Sequence, residues 1–253
     1  MRFAGKGVLV TGGSGGIGGE ICRRFAAEGA RVFVHYSGSE SAARETVEAL
    51  EGDGHRAVRA DLLEADQVAA MVDSAEAEGE GLDILVNNAG IFEPHPPLEV
   101  DFEAWQEAWR RTLGINLIGA ANACHSAARH MVERGRRGRI VNVSSRGAFR
   151  GEPECPAYGA SKAGLNALSQ SLAQALGPHG IGVFAVAPGF VETAMARPWL
   201  DGEAADAIRQ QSPLGRVARV SDVAYWVLCA ADPQAEFATG AILDVNGASY
   251  LRS

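Results

Sequence analysis

The chain alternates short apolar runs with amphipathic stretches from end to end, and its opening unit constrains it most. Val8-Leu-Val10 is followed at once by Thr11-Gly-Gly-Ser-Gly-Gly-Ile-Gly18. A helical pattern comes next, with Ile21, Phe25 and Ala26 on one side and Gly29 as its stop. Further apolar runs fall at residues 31–35, 57–60, 82–86, 139–143, 181–187 and 241–245. Between them, residues 41–50, 66–78, 102–133, 158–176 and 220–230 carry helical spacing, the 102–133 stretch reading as a short piece followed by a long one. The apolar runs are continuous rather than strictly alternating, which is how strands buried on both faces read. The pattern predicts an α/β fold: a doubly wound parallel sheet of about seven strands with helices on both faces. A closed eight-stranded barrel is the rival at this length. The glycine cluster after the first strand favours the open sheet.

At 253 residues and 47% apolar, the chain is long enough for one large core, and residues 1–253 are read as a single domain. The least regular stretches, about 91–100 and 190–212, both follow strands and are the expected substrate loops, because ligands of open sheets sit beyond the strand C-termini. Cys22, Cys124, Cys155 and Cys229 share no CxxC spacing and read as reduced, buried thiols of a cytoplasmic protein. No signal-peptide core and no apolar run near 18 residues is present, so no membrane role is expected. A net charge of −8 offers no general attraction to nucleic acid. The six histidines form no ligand-spaced cluster with carboxylates, so no metal is expected.

Gly12, Gly16 and Gly18 lie between a strand and a helix at a Gly-x-x-x-Gly-x-Gly spacing. There they permit a tight turn and let a helix N-terminus approach a pyrophosphate. The loop lacks the Gly-Lys-Ser/Thr ending of a Walker A motif. An acid at the end of the second strand would hold a ribose 2′-hydroxyl and repel a 2′-phosphate. Here the chain runs His35-Tyr-Ser-Gly-Ser39, with no carboxylate before Glu40, which favours NADP over NAD. Asp61, just past the third strand, is a candidate adenine contact and equally a turn or cap residue.

Tyr158 and Lys162 stand at i and i+4 on one helix face, and Ser145 closes the apolar run Ile140-Val-Asn-Val-Ser-Ser145. A phenol titrates near 10, so a fixed ammonium nearby is expected to bring Tyr158 down toward a useful range. Tyr, Lys and a hydroxyl donor together suit proton exchange with a carbonyl or alcohol oxygen.

With Thr11-Gly12-x-x-x-Gly16-x-Gly18, Asn87-Asn88-Ala89-Gly90, Asn116, Ser145, Tyr158, Lys162, Pro188-Gly189, Thr193 and Asn246-Gly247 in this order, the chain resembles the short-chain dehydrogenase/reductase family over nearly its whole length. The resemblance implies a Rossmann-type fold and hydride transfer between a nicotinamide cofactor and a carbonyl or secondary alcohol. It makes Tyr158 the acid/base and Ser145 the donor to the substrate oxygen, with Ser144 facing away. Lys162 would bind the nicotinamide ribose and lower the Tyr158 pKa, and Asn116 would hold a helix irregularity and a water leading to Lys162. Cofactor contacts are implied at Gly12, Ser14, Gly15, Gly16, Ile17 and Gly18, at Tyr36 and Ser37, and at Asp61 and Leu62. They continue at Asn88, Ala89 and Gly90, at Tyr158 and Lys162, and at Pro188, Gly189, Val191 and Thr193.

The substrate pocket is expected from residues 146–157, 92–97 and 192–212, with Arg146, Arg150, Glu152 and Glu154 as a solvated, charged rim. Phe190, Met195, Pro198, Trp199 and Leu200 are candidates for an apolar lid. A basic run, Arg129, His130, Arg134, Arg136, Arg137 and Arg139, reads first as cations at a helix C-terminus. It also favours a 3-oxoacyl thioester reductase whose substrate arrives on an acyl carrier protein, as in relatives of fatty-acid synthesis. A sugar, polyol or secondary-metabolite alcohol dehydrogenase is the alternative, and a non-catalytic nucleotide-binding regulator is the alternative of another class. Small residues along 159–167 and the family resemblance imply a homotetramer or homodimer.

Overall fold

A computed structural model describes residues 1–202 and 205–252. Residues 203–204, within the expected 190–212 loop, and Ser253, the last residue of the expected domain, lie outside the described residues. The elements run β1 (Gly7–Val10), α1 (Gly16–Ala27), β2 (Arg31–Tyr36), α2 (Glu40–Glu48), β3 (Arg56–Arg59), α3 (Ala65–Glu76) and β4 (Ile84–Asn87). Next come α4 (Phe102–Leu113), a π-helical turn (Gly114–Gly119), α5 (Ala120–Glu133), β5 (Gly138–Val143), α6 (Gly147–Arg150) and α7 (Pro156–Leu176). The chain closes with β6 (Ile181–Pro188), α8 (Arg197–Leu200), α9 (Ala205–Gln210), α10 (Val220–Ala231) and β7 (Ile242–Val245).

All seven strands are parallel, in the order β3-β2-β1-β4-β5-β6-β7, so the sheet has two edges and the barrel is excluded. Successive residues of each strand feed opposite layers. Val8, Val10, Val32 and Val34 pack with Ile21 and Phe25 of α1 and Val223 and Val227 of α10. Leu9, Phe33, Leu85 and Ile140 pack on the other face with Val68 and Met71 of α3 and Ala123 and Ala127 of α5. Because both faces are covered, the runs show no polar alternation. The order reverses between β1 and β4, and the crevice beyond their C-terminal ends is the place an open sheet offers a ligand.

Two local expectations are corrected. The 102–133 helix divides into α4 and α5 of similar length, because the π turn at Gly114–Gly119 interrupts it. Gly114 and Gly119 leave room there for Leu63 and the Leu62 carbonyl, which a Cβ at either position would strike. The 190–212 stretch carries two short helices, α8 and α9, whose Leu200 and Ile208 form a small cluster with Val217.

Polar side chains cross the sheet centre in one chain: Asn87 Nδ2 donates to Asn142 Oδ1 at 2.8 Å, and Asn142 Nδ2 to Ser169 Oγ at 2.8 Å. Asn142 is fully buried, so removing it loses both hydrogen bonds and leaves a cavity in their place. Asn142→Ala is expected to lower unfolding free energy by about 2 kcal/mol in urea titrations.

Candidate active site

The first turn is shaped by hydrogen bonds from neighbouring strands. Thr11 Oγ1 accepts from the backbone N–H of Asn88 at 3.0 Å and of Ala89 at 3.1 Å. Asn88 Nδ2 donates back to the carbonyls of Thr11 at 3.0 Å and Gly12 at 3.1 Å. Gly12 and Gly16 hold positive φ angles of 62° and 54°, and a Cβ on Gly18 would run into the Gly12 carbonyl. No side chain caps α1 at Gly15, and Gly15 and Gly16 are exposed, with Ser14 half-buried beside them. The bare N-terminus and the glycine cradle fit a pyrophosphate. Ile17 packs against the core.

Buried His35, which sequence reasoning assigned no role, supports this turn. Its Nδ1 accepts from the Gly12 N–H at 3.0 Å, and its Nε2 lies 3.1 Å from the Ala60 carbonyl. Nε2 therefore carries the proton, and burial lowers its pKa. Tyr36 is buried at the end of β2 and Ser37 is exposed after it. The Asp61 carboxylate accepts from the Leu63 N–H at 3.0 Å, so it serves the turn. Leu62 is buried in the core, which leaves only its backbone for a ligand. Val191 is likewise a core residue. Thr193, across the crevice, places its methyl 3.7 Å from where a Cβ on Gly16 would stand.

Ser145 follows β5, and α7 brings Tyr158 and Lys162 to it. Ser145 Oγ accepts from the Gly147 N–H at 3.0 Å, which leaves its own proton free to donate. Ser144 is buried and donates to the Lys162 carbonyl at 3.3 Å, facing away as expected. Lys162 Nζ donates to the Val143 carbonyl at 2.8 Å and lies 5.7 Å from the Tyr158 ring centroid. Burial pushes Lys162 down to about 8.

The expected lowering of Tyr158 is corrected. Burial pushes its phenol up to about 12, the Glu152 charge adds to the rise, and hydrogen bonding with Ser145 opposes it without cancelling it. Among the protein's own groups, Tyr158 is therefore a protonated donor at neutral pH.

The Asn116 side chain is engaged at both ends of its amide. Its Oδ1 accepts from the Ile91 N–H at 2.8 Å, and its Nδ2 donates to the Ile91 carbonyl at 3.0 Å and to Ser161 Oγ at 3.2 Å. It sits in the π turn and clamps the 90–91 backbone, and a Cβ on Gly90 would stand 3.2 Å from Asn116 Oδ1 and 3.4 Å from Lys162 Nζ. At the end of β6, the Pro188 carbonyl accepts from the Arg146 N–H at 2.8 Å, and the Gly189 N–H donates to the Val245 carbonyl at 3.1 Å.

Phe92 stands edge-on to Tyr158 at 4.8 Å and to Trp199 at 5.2 Å, so loop 91–100 and the 190–212 stretch meet beside Tyr158. His95 ties that loop to the start of α7: its Nε2 accepts from the Ala157 N–H at 3.1 Å, and its Nδ1 pairs with the Glu93 carbonyl at 2.7 Å. Sequence patterns carry no signal for this, because the partners are backbone atoms. Of the expected rim, Arg150 lies 3.8 Å from Glu152, but Arg146 is buried rather than solvated.

The basic run does not form a free patch. Arg129 pairs with Glu133, His130 with Asp73, Arg134 with Glu76, Arg136 with Glu80 and Arg137 with Glu236, while Arg139 is buried. It also flanks the start of β5, whereas Ser145 follows its end, a separation of about 20 Å along six residues.

Fold and site define a nicotinamide-dependent oxidoreductase acting on a carbonyl or alcohol. The family model described as enoyl-(acyl carrier protein) reductase matches residues 12–248, and the chain belongs to the short-chain dehydrogenase/reductase family. It is 41% identical over 250 residues to cis-4-hydroxycyclohexanecarboxylate dehydrogenase of Sinomonas cyclohexanicum, covering 97% of this chain and 96% of that protein. It is 39% identical to 3beta-hydroxysteroid dehydrogenase 1 of Eggerthella lenta, at 98% and 94% coverage. It is 36% identical to a 3-oxoacyl-[acyl-carrier-protein] reductase of Staphylococcus aureus, at 97% and 98% coverage.

Between about pH 8 and 10.5 the unfolded chain binds a proton at Lys162 that the folded chain does not, so this group makes stability rise with pH. From about 10 to 12 the folded chain keeps the Tyr158 proton that the unfolded chain loses, which lowers stability as pH climbs. Urea midpoints measured against pH are expected to lose the rise between 8 and 10 in Lys162→Met.

Proposed function

We propose that this enzyme interconverts an apolar, ring-bearing ketone and its secondary alcohol, with NADP(H) as the preferred cofactor. The observation that carries the substrate class is the aromatic wall of Phe92, Tyr158 and Trp199 above the reacting hydroxyl. Such a wall suits a flat or puckered hydrocarbon ring better than a polyol, because aromatic faces and edges recover little from hydroxyl groups. Two of the relatives are named for ring alcohols. The case for a substrate carried on an acyl carrier protein loses the basic run, which is ion-paired and stands at the far end of β5.

The bound cofactor supplies or takes the hydride. The chain's own residues handle the oxygen and its proton. Tyr158 donates its proton to the carbonyl oxygen as charge develops there, and Ser145, its oxygen already held by Gly147, donates a second hydrogen bond. Lys162, fixed by Val143, keeps N–H groups that would hold the ribose of a bound cofactor. Asn116 positions Gly90 and Ile91 beside that ammonium. This convergence of groups favours a working enzyme over a nucleotide-binding regulator.

For the cofactor, Arg59 adds to the missing acid. It stands directly beside Tyr36 in the β2–β3 register and is exposed, while Glu40 is engaged by Arg44 at 2.6 Å. A cation there suits a 2′-phosphate.

The deciding assay is NADPH and NADH consumption with cyclohexanone-type ketones, a 3-keto steroid, a 3-oxoacyl thioester and a sugar lactone. A ring ketone is expected to lead in kcat/KM by about tenfold or more. A 3-oxoacyl thioester or sugar leading instead overturns the substrate class. Tyr158→Phe is expected to cost about 10³-fold in kcat with cofactor binding kept. Arg59→Ala is expected to raise KM for NADPH about tenfold and leave KM for NADH unchanged.

A further inference from the structure

We infer that the cavity between α9, α10 and the turn after β7 is a second ligand site, built for a small amphipathic monocarboxylate with Arg146 as its anchor. The cavity has a volume of about 210 Å³, and its lining includes none of Ser145, Tyr158 or Lys162. Ile208, Leu214, Val217 and Trp226 supply apolar wall, and Arg146 supplies charge.

Arg146 is only 3% exposed. Its Nη1 donates to neutral oxygens, Gln211 Oε1 at 2.8 Å and Ser249 Oγ at 2.7 Å, and its guanidinium lies over the Phe190 ring at 5.5 Å. Among the described residues no carboxylate lies within salt-bridge distance of it. The other charges lining the cavity are matched: Arg216 meets Asp222 at 2.7 Å, and Asp244 meets Arg252 at 2.8 Å. Neutral acceptors satisfy hydrogen bonds but leave most of the cost of a buried charge in place. An anion in the cavity would offset that cost, and a guanidinium with unused donors suits the two oxygens of a carboxylate. The apolar walls ask for a hydrocarbon tail, and the nearby Asp222 and Asp244 disfavour a dianion such as phosphate.

The site would report to the reaction centre. The Arg146 N–H holds the Pro188 carbonyl and its side chain rests on Phe190, and these two residues flank Gly189. A carboxylate that draws on the Arg146 side chain acts on the backbone expected to meet the nicotinamide.

Titration calorimetry on the full chain with hexanoate, hexan-1-ol and inorganic phosphate tests this without any turnover, so its failure is distinct from failure of the substrate assignment. Hexanoate is expected to saturate one site per chain, with hexan-1-ol and phosphate each at least about tenfold weaker. Arg146→Met is expected to weaken hexanoate about tenfold or more. Leu214→Asp, at a position 67% exposed and therefore tolerant, is expected to do the same by placing a carboxylate at the mouth. If Arg146→Met does not fold, Leu214→Asp decides. Absence of hexanoate binding, equal binding of the alcohol or phosphate, or binding unchanged in the folded variants overturns the proposal.

Discussion

The clamp between Thr11 and Asn88 is the contact on which the functional end of the molecule depends. It joins the C-terminal ends of β1 and β4, where the strand order reverses and helices leave on opposite faces. One hydroxyl accepts two backbone N–H groups, and one carboxamide answers two backbone carbonyls, at a place where the sheet ladder has ended. The glycine turn on one side and the backbone of 88–90 on the other are thereby fixed relative to each other.

Around that crevice the protein balances burial against charge. Tyr158 and Lys162 are both pushed toward their neutral forms by burial, the phenol upward and the amine downward. At the phenol, hydrogen bonding with Ser145 opposes this. The pair is thus tuned by its surroundings more than by each other. The 5.7 Å gap between Nζ and the ring centroid agrees with that. Glu152 tilts the balance further toward the protonated phenol.

Much of this was legible in the sequence because it rests on short-range spacing. Val8, Leu9 and Val10 read as a doubly buried strand since each faces a different layer in turn. Tyr158 and Lys162 read as a pair because four residues make one helical turn. What escaped rests on partners far along the chain. Arg137 meets Glu236, so part of a run that looked basic is ion-paired in space. Arg59 gains meaning only from its register beside Tyr36. Arg146 looked like a rim charge, and only the approach of Gln211 and Ser249 shows it to be enclosed. The break at Asn116 was expected from the family resemblance, but its π winding and the near-equal lengths of α4 and α5 are a matter of backbone count that residue spacing does not show.

That turn has a geometrical consequence of its own. A π-helical segment houses an extra residue that the 3.6-residue repeat does not accommodate, and one residue is worth about 100° of rotation around a helix axis. The phase of α5 is therefore offset from that of α4, although the two run on as one rod. The offset lets α5 turn Ala123, Ala127 and Met131 onto the sheet while Asn116 stays aimed at the 90–91 backbone. Shortening the turn by one residue would rewind one half against the other and present a different stripe to the sheet. Local backbone winding, rather than any side chain, keeps the core-facing and site-facing halves of this rod in step.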